Sequence, residues 1–332
     1  MDHVVLMVLH FLLQEEVSFL LLRSILVKQL RDLHPRIFAT MEEPTYKQHL
    51  ERPGKMMIYR RLPTQAKPAP ETQPGWVCKL LSPTKDPEFR YICSAVNLTR
   101  RILCHDKAIK HMAEIGGYVS EKFKIQGAPV LRTSTQEANQ KWVKETFLPD
   151  ILTEFPPLYV DEQIDNPRVL AFTHSGPKEA DFIYGYQKSI VVLLNAANVA
   201  LMKKVAGDKS KNGQDLKLLI WYLAQTLVHE VGGHVLVKHL TLAKENTPLE
   251  VRDLDDQGVP RKTSEKVGES GFNLEALLFG GKAWLLYPKD GKEIEEDQLG
   301  KPYLVYHPHG ETKQFAKAIS LDEVDNAFKS SE

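Results

Sequence analysis

The chain has 332 residues, 42% hydrophobic and 26% charged, enough for one large globular domain with an added segment. Its 43 basic residues balance 43 acidic ones, so the chain as a whole has no electrostatic reason to seek nucleic acid or an anionic membrane, and a peptide or small-molecule substrate is expected. Cys78, Cys93 and Cys104 are too few and scattered for a disulfide framework and form no C-x-x-C pair, which favours a reducing, cytoplasmic setting.

Residues 1–61 read as an N-terminal apolar helical segment. Its first apolar run, Val4 to Leu13, follows Asp2 and His3 rather than a basic stretch, and Gln14-Glu15-Glu16 interrupts it. A spanning helix needs about 20 apolar residues, so docking on the domain or on a partner is the expectation, with a weakly membrane-associated or atypical signal segment as the alternative. Residues 62–75, "LPTQAKPAPETQPG", read as a proline-rich linker. The third region is 76–332.

"WVCKLL" (76–81) and "FRYICSAV" (89–96) predict short strands around a turn. "RILCHDKAIKHMAEIGGYVSEKF" predicts a helix ended or kinked at Gly116-Gly117. "RVLAFTH" (168–174) and "SIVVLLNAA" (189–197) predict strands, being β-branched and bounded by turn residues. From Gln214 to about Leu242, apolar residues recur every three or four positions, the pattern of a helix with one buried stripe. A polar loop (244–266) follows, then a second helix, "ESGFNLEALLFGG", stopped by its glycines. "AWLLYP" and "YLVYHPHG" predict late strands, and "SLDEVDNAF" a terminal helix capped by Ser320.

The long helix contains His229-Glu230-Val231-Gly232-Gly233-His234. In the zinc-protease pattern H-E-x-x-H, the histidines at i and i+4 lie about 40° apart around a helix and can share one ion. Here they are five apart, about 140° on a regular helix, and no single ion is reached. A π-bulge adds about one residue to a turn and would restore a common face, and such bulges concentrate at functional sites. Two adjacent glycines in a helix interior cost about 1 kcal/mol each relative to alanine. Backbone freedom at a bulge would explain them. The plain alternative is a helix with two structural histidines. His239, five residues further on, fits no ligand spacing and is expected to be solvated, and His105 and His174 carry no motif.

H-E-V-G-G-H resembles the H-E-x-x-G-H motif of the dipeptidyl peptidase III family, a gluzincin-type group of zinc metallopeptidases. It is also similar to uncharacterised, mostly fungal proteins that pair such a helix with a downstream G-E-S-G, here Gly268-Glu269-Ser270-Gly271. The chain lacks the dipeptidyl peptidase E-E-x-x-x-E motif and is much shorter, so only the metal chemistry carries over. The resemblance implies zinc bound by His229 and His234, Glu230 acting on the water, and a third ligand from a glutamate on the next helix. Glu269 and Glu275 are the candidates. Being about 120° apart on a helix, they are not expected to meet one ion. Glu269 is preferred because Asn273, four residues on, is placed to hydrogen-bond it, with Glu275 as the alternative.

"SIVVLLN" is a candidate edge strand for extended substrate or an ordinary core strand. Tyr306 and His309 are candidates for oxyanion stabilisation. The expected fold is thus an α+β, zincin-like metallopeptidase domain over 76–332, with an active-site helix, a glutamate helix and a small mixed sheet. Its expected function is hydrolysis of peptide bonds by a zinc-activated water, with Glu230 as general base. The alternatives are an inactive zincin-like binding protein and a non-peptidase zinc hydrolase.

Overall fold

The structure is a computed structural model and describes residues 56–61, 78–164, 169–175, 190–207, 214–252, 254–255, 257–261, 268–286, 301–309 and 314–320, with residues 322 and 324. The proline-rich stretch and nearly all of the N-terminal segment lie outside the described residues, as does most of the expected terminal helix. Helix and sheet are mixed, compatible with the α+β expectation.

Strands β1 (Ile58–Arg61), β2 (Cys78–Leu80), β3 (Leu158–Asp161), β4 (Ala171–Ser175) and β5 (Ile190–Asn195) form one sheet in the order β2-β1-β3-β5-β4. β1, β3 and β5 run parallel, while β2 and β4 run antiparallel to their neighbours. Every residue of β5 is buried, as a parallel strand covered on both faces requires. β5 therefore lies inside the sheet, with β4 at its edge among the described strands. The edge expected at "SIVVLLN" is held by "AFTHS" instead. β1 also moves a boundary: Ile58–Arg61 was grouped with the N-terminal segment but is an internal strand, flanked by β2 and β3. A second, antiparallel sheet joins β6 (Lys282–Leu286), β7 (Lys301–Tyr306) and β8 (Phe315–Ala318).

Helix α1 (Pro87–Leu103) occupies the place of the expected strand "FRYICSAV". Read locally, its aromatic and β-branched residues favour a strand. Over 17 residues, however, Ile92, Ala95, Val96, Thr99 and Leu103 recur at helical spacing and are all buried, and Pro87 suits a first turn. Tertiary burial of that stripe overrides local propensity. α2 (Asp106–Phe123) starts where His105 Nδ1 accepts from the Lys107 amide at 3.2 Å. It runs on through Gly116-Gly117, which lie against Leu131 and Thr133, so the expected stop falls instead at Lys124, a left-handed residue.

α3 (Gln136–Trp142), a π segment (Val143–Phe147) and α4 (Leu148–Thr153) follow, then α5 (Ala196–Gly207) after β5. α6 (Gln214–Val228), a second π segment (His229–Val235) and α7 (Leu236–Leu240) together form the long helix read from the sequence. α6 packs along α1, where the Thr99 hydroxyl donates to the Ala224 carbonyl at 3.0 Å. α8 (Ser270–Phe279) ends at left-handed Gly280 and packs across the second π segment. Phe147, Phe155, Leu158, Ile92, Met112, Leu227 and Leu274 belong to one apolar core that reaches the floor of this helix pair. No described helix is long and apolar enough to cross a membrane.

Candidate metal centre

The seven residues His229–Val235 form a π segment inside an otherwise α-helical rod, where the sequence placed a bulge. The extra residue brings the two imidazoles to one face, with their Nε2 atoms 3.2 Å apart. The glycine pair has a different reason from the one expected. Neither Gly232 nor Gly233 has a positive φ. Instead, a Cβ on Gly233 would come within 2.6 Å of the Gly271 backbone, so its hydrogen is what lets α8 approach. Gly271 in turn lies directly under the His229 ring, leaving no space for a side chain. The two glycines set the distance between the helices, and with it the distance between the histidines and the carboxylates.

Glu269 is the N-cap of α8 rather than a member of it, with φ −137° and ψ 86°. Its Oε1 lies 3.0 Å from His234 Nε2 and 3.5 Å from His229 Nε2, and accepts the Gly271 amide at 3.2 Å. Glu275, one and a half turns along, reaches the opposite side of His229, where Nδ1 donates to its Oε1 at 2.6 Å. Its other oxygen accepts the Ala283 amide of β6 at 2.7 Å. Both glutamates therefore serve one imidazole, from opposite sides. Only Glu269 lies on the Nε2 side with His234, while Glu275 is at Nδ1, so the two do not converge on one position, although Glu269 caps the helix rather than belonging to it.

Asn273 is not bonded to the Glu269 side chain. Its amide donates to the Arg252 carbonyl at 2.7 Å, and only its backbone meets Glu269, donating to that residue's carbonyl at 3.1 Å. The effect on Glu269 is indirect but consistent. The segment 247–252 clasps the start of α8: Val251 O accepts the Glu269 amide, Thr247 O accepts the Gly268 amide, and the Thr247 and Ser270 hydroxyls bond at 2.9 Å. The G-E-S-G stretch is thus a fastened turn that presents Glu269.

Glu230 is 3% exposed. Its Oε1 stands 3.9 Å from His229 Nε2, and its Oε2 accepts the Thr173 hydroxyl of β4 at 2.7 Å. Thr173 was not singled out in the sequence. Nothing local marks it, because the contact depends on the β4 edge passing over the π segment.

Burial opposes charge on His229, but Glu275, Glu230 and Glu269 outweigh it and push the imidazole up to about 9. Burial likewise opposes charge on Glu269, but the neighbouring His234 and His229 hold its carboxyl down to about 2. Three carboxylates thus gather around one imidazole and favour positive charge there. His229, Glu230 and His234 place ligand atoms within 4.8 Å of one another and form a group that could hold a metal ion. The trio His229 Nε2, His234 Nε2 and Glu269 Oε1 is tighter, with edges of 3.2, 3.0 and 3.5 Å. Ligands about 2.0–2.2 Å from a tetrahedral ion stand about 3.3–3.6 Å apart, within a few tenths of an ångström of these edges, so the donor set suits such an ion. His234 and Glu269, with side chains 26% and 27% exposed, form the open side.

Tyr306 and His309 carry other contacts. Tyr306 packs its ring against Phe315, and among the described residues it makes no hydrogen bond to the cluster. His309 Nδ1 meets Asp255 Oδ2 at 2.6 Å in the 254–260 turn. His239, expected in solvent, is 5% exposed and packs edge-on against Trp142 and Phe147 at 5.6 Å each. The register after the bulge turns it inward. No known protein family, characterised protein or solved structure matches this chain.

Proposed function

We propose that the chain is a zinc-dependent hydrolase of the gluzincin type, acting on peptide bonds, in a zincin-like fold. The observation that carries this reading is the triangle of His229 Nε2, His234 Nε2 and Glu269 Oε1, whose edges suit three ligands of one tetrahedral ion. Zinc, when bound, would supply Lewis-acid charge that acidifies a water and polarises a carbonyl.

The remaining roles belong to the chain. Glu275 accepts the hydrogen bond from His229 Nδ1–H and so turns Nε2 toward the site, a carboxylate–histidine pairing that fixes ring and tautomer. Glu230 Oε1, facing His229 Nε2 at 3.9 Å, is the base that would accept a water's proton and return it to the leaving amine. Burial strengthens that exchange, since Glu230 is shielded from bulk solvent. Strand β4, at the edge of the sheet among the described strands, supports a peptide substrate, because an edge strand beside Glu230 can pair with an extended chain.

Purified protein is expected to hold about one zinc per chain, measured by elemental analysis. His229→Ala, His234→Ala and Glu269→Ala should each lose it, because each removes one edge of the triangle. Glu230→Gln should keep zinc and lose hydrolysis of a denatured protein such as casein. Full zinc retention in all three alanine variants would overturn the site.

A further inference from the structure

Two carboxylates compete for the same place. Glu230 and Glu269 both stand within reach of His229 Nε2, Glu269 at 3.5 Å and Glu230 at 3.9 Å. An ion between the histidines could recruit either. A site that recruited both would have four protein ligands, the closed arrangement of a structural rather than a catalytic centre. Something must hold Glu230 back.

We propose that Thr173 is the positioning residue that does so, keeping Glu230 a base instead of a ligand. This rests on the zinc-site reading above and adds to it a residue from a different element. Thr173 Oγ1 donates to Glu230 Oε2 at 2.7 Å, a charge-assisted bond between a half-buried hydroxyl and a buried carboxylate. The bond fixes the carboxylate's rotation, leaving Oε1 toward the histidines. Thr173 cannot drift, because its backbone is registered opposite Val192 of the buried strand β5. Phe172 and His174, whose rings pack together, occupy the other face of β4, so the pleat directs Thr173 toward the long helix. Glu269 has a different restraint, the N-cap bond from Gly271, which keeps its Oε1 at the histidines. Glu230 thus has one oxygen fastened to β4 and stands 3.9 Å from His229 Nε2, while Glu269 is held closer, at 3.5 Å, by its own N-cap bond.

The test compares Thr173→Val, which keeps the shape and removes the donor, with Thr173→Ser, which keeps the donor. In the zinc-loaded protein, with casein as probe, Thr173→Val should lower kcat about 10–100-fold with KM changed less than about two-fold, the usual size of an outer-shell effect. Thr173→Ser should recover most of that loss. Two readouts do not depend on turnover. A crystal structure of metal-free Thr173→Val should show the Glu230 carboxylate rotated from its present place, and the cobalt-loaded variant should show a changed visible spectrum as Glu230 joins the ion. A Glu230 that stays in place with an unchanged cobalt spectrum overturns the proposal, as does serine failing to rescue. Wild-type protein that takes up neither zinc nor cobalt would instead overturn the zinc-site reading itself, and the positioning role with it.

Discussion

At the scale of single residues, each carboxylate of the centre is fastened by a different element, Glu230 by β4, Glu269 by the start of α8 and Glu275 by β6. His229 has a carboxylate on each side, Glu275 at Nδ1 and Glu269 at Nε2, while Thr173 occupies one oxygen of Glu230. His239 is another buried imidazole, packed edge-on against Trp142 and Phe147 and held down to about 4 by burial. In the unfolded chain it titrates near about 6.5. A depressed folded value means that its contribution is complete above pH about 6.5 and is lost as pH falls toward 4. Over that window the protein should lose about 3 kcal/mol from this ring alone. Denaturant unfolding of wild type and His239→Leu at pH 7 and pH 4.5 measures it. The variant should show a smaller acid-side loss, and equal losses in both would remove His239 as the cause.

At the scale of elements, the long helix is two α-helical rods joined by a π segment, and α8 crosses it at the glycine contact. The bulge absorbs one residue, so α7 leaves it in the same orientation that an H-E-x-x-H helix would give. Deleting Gly232 should therefore remove the bulge and leave the faces of Leu236, Val237 and Leu240 buried as they are now. In a helix without a bulge the same deletion would rotate those side chains by about 100° and mispack the core at a cost of several kcal/mol. The deletion variant is expected to fold and to bind zinc, as judged by circular dichroism and metal content. An unfolded product would count against the bulge as a removable insertion.

At the scale of the whole molecule, the centre joins elements far apart in the chain: β4, the π segment, the 247–252 clasp, α8 and β6. An ion bound there would tie them together and would bind the folded state alone. Free zinc at about a thousand times its Kd adds about 4 kcal/mol, which for a domain of this size corresponds to about 8–16 °C in Tm. Thermal unfolding with zinc and with EDTA should differ by about that much. The His229→Ala, His234→Ala double variant should not respond, and a wild-type curve indifferent to EDTA would separate the centre from stability.

The sequence by itself determined the histidine pair, the need for a bulge if they share an ion, the glutamate helix and strands read at 168–174 and 189–197, where the fold has 171–175 and 190–195. These are signals of spacing and periodicity, complete within a few turns of chain. It did not distinguish α1 from a strand, because aromatic and β-branched residues suit both until a long buried stripe decides. Only the tertiary structure decided which side of His229 each glutamate takes, that Thr173 holds Glu230, and that β4 rather than β5 lies at the edge. Each of these depends on how two distant segments approach. That approach is set at Gly233 and Gly271 by what a missing Cβ allows, which no periodicity within either segment records.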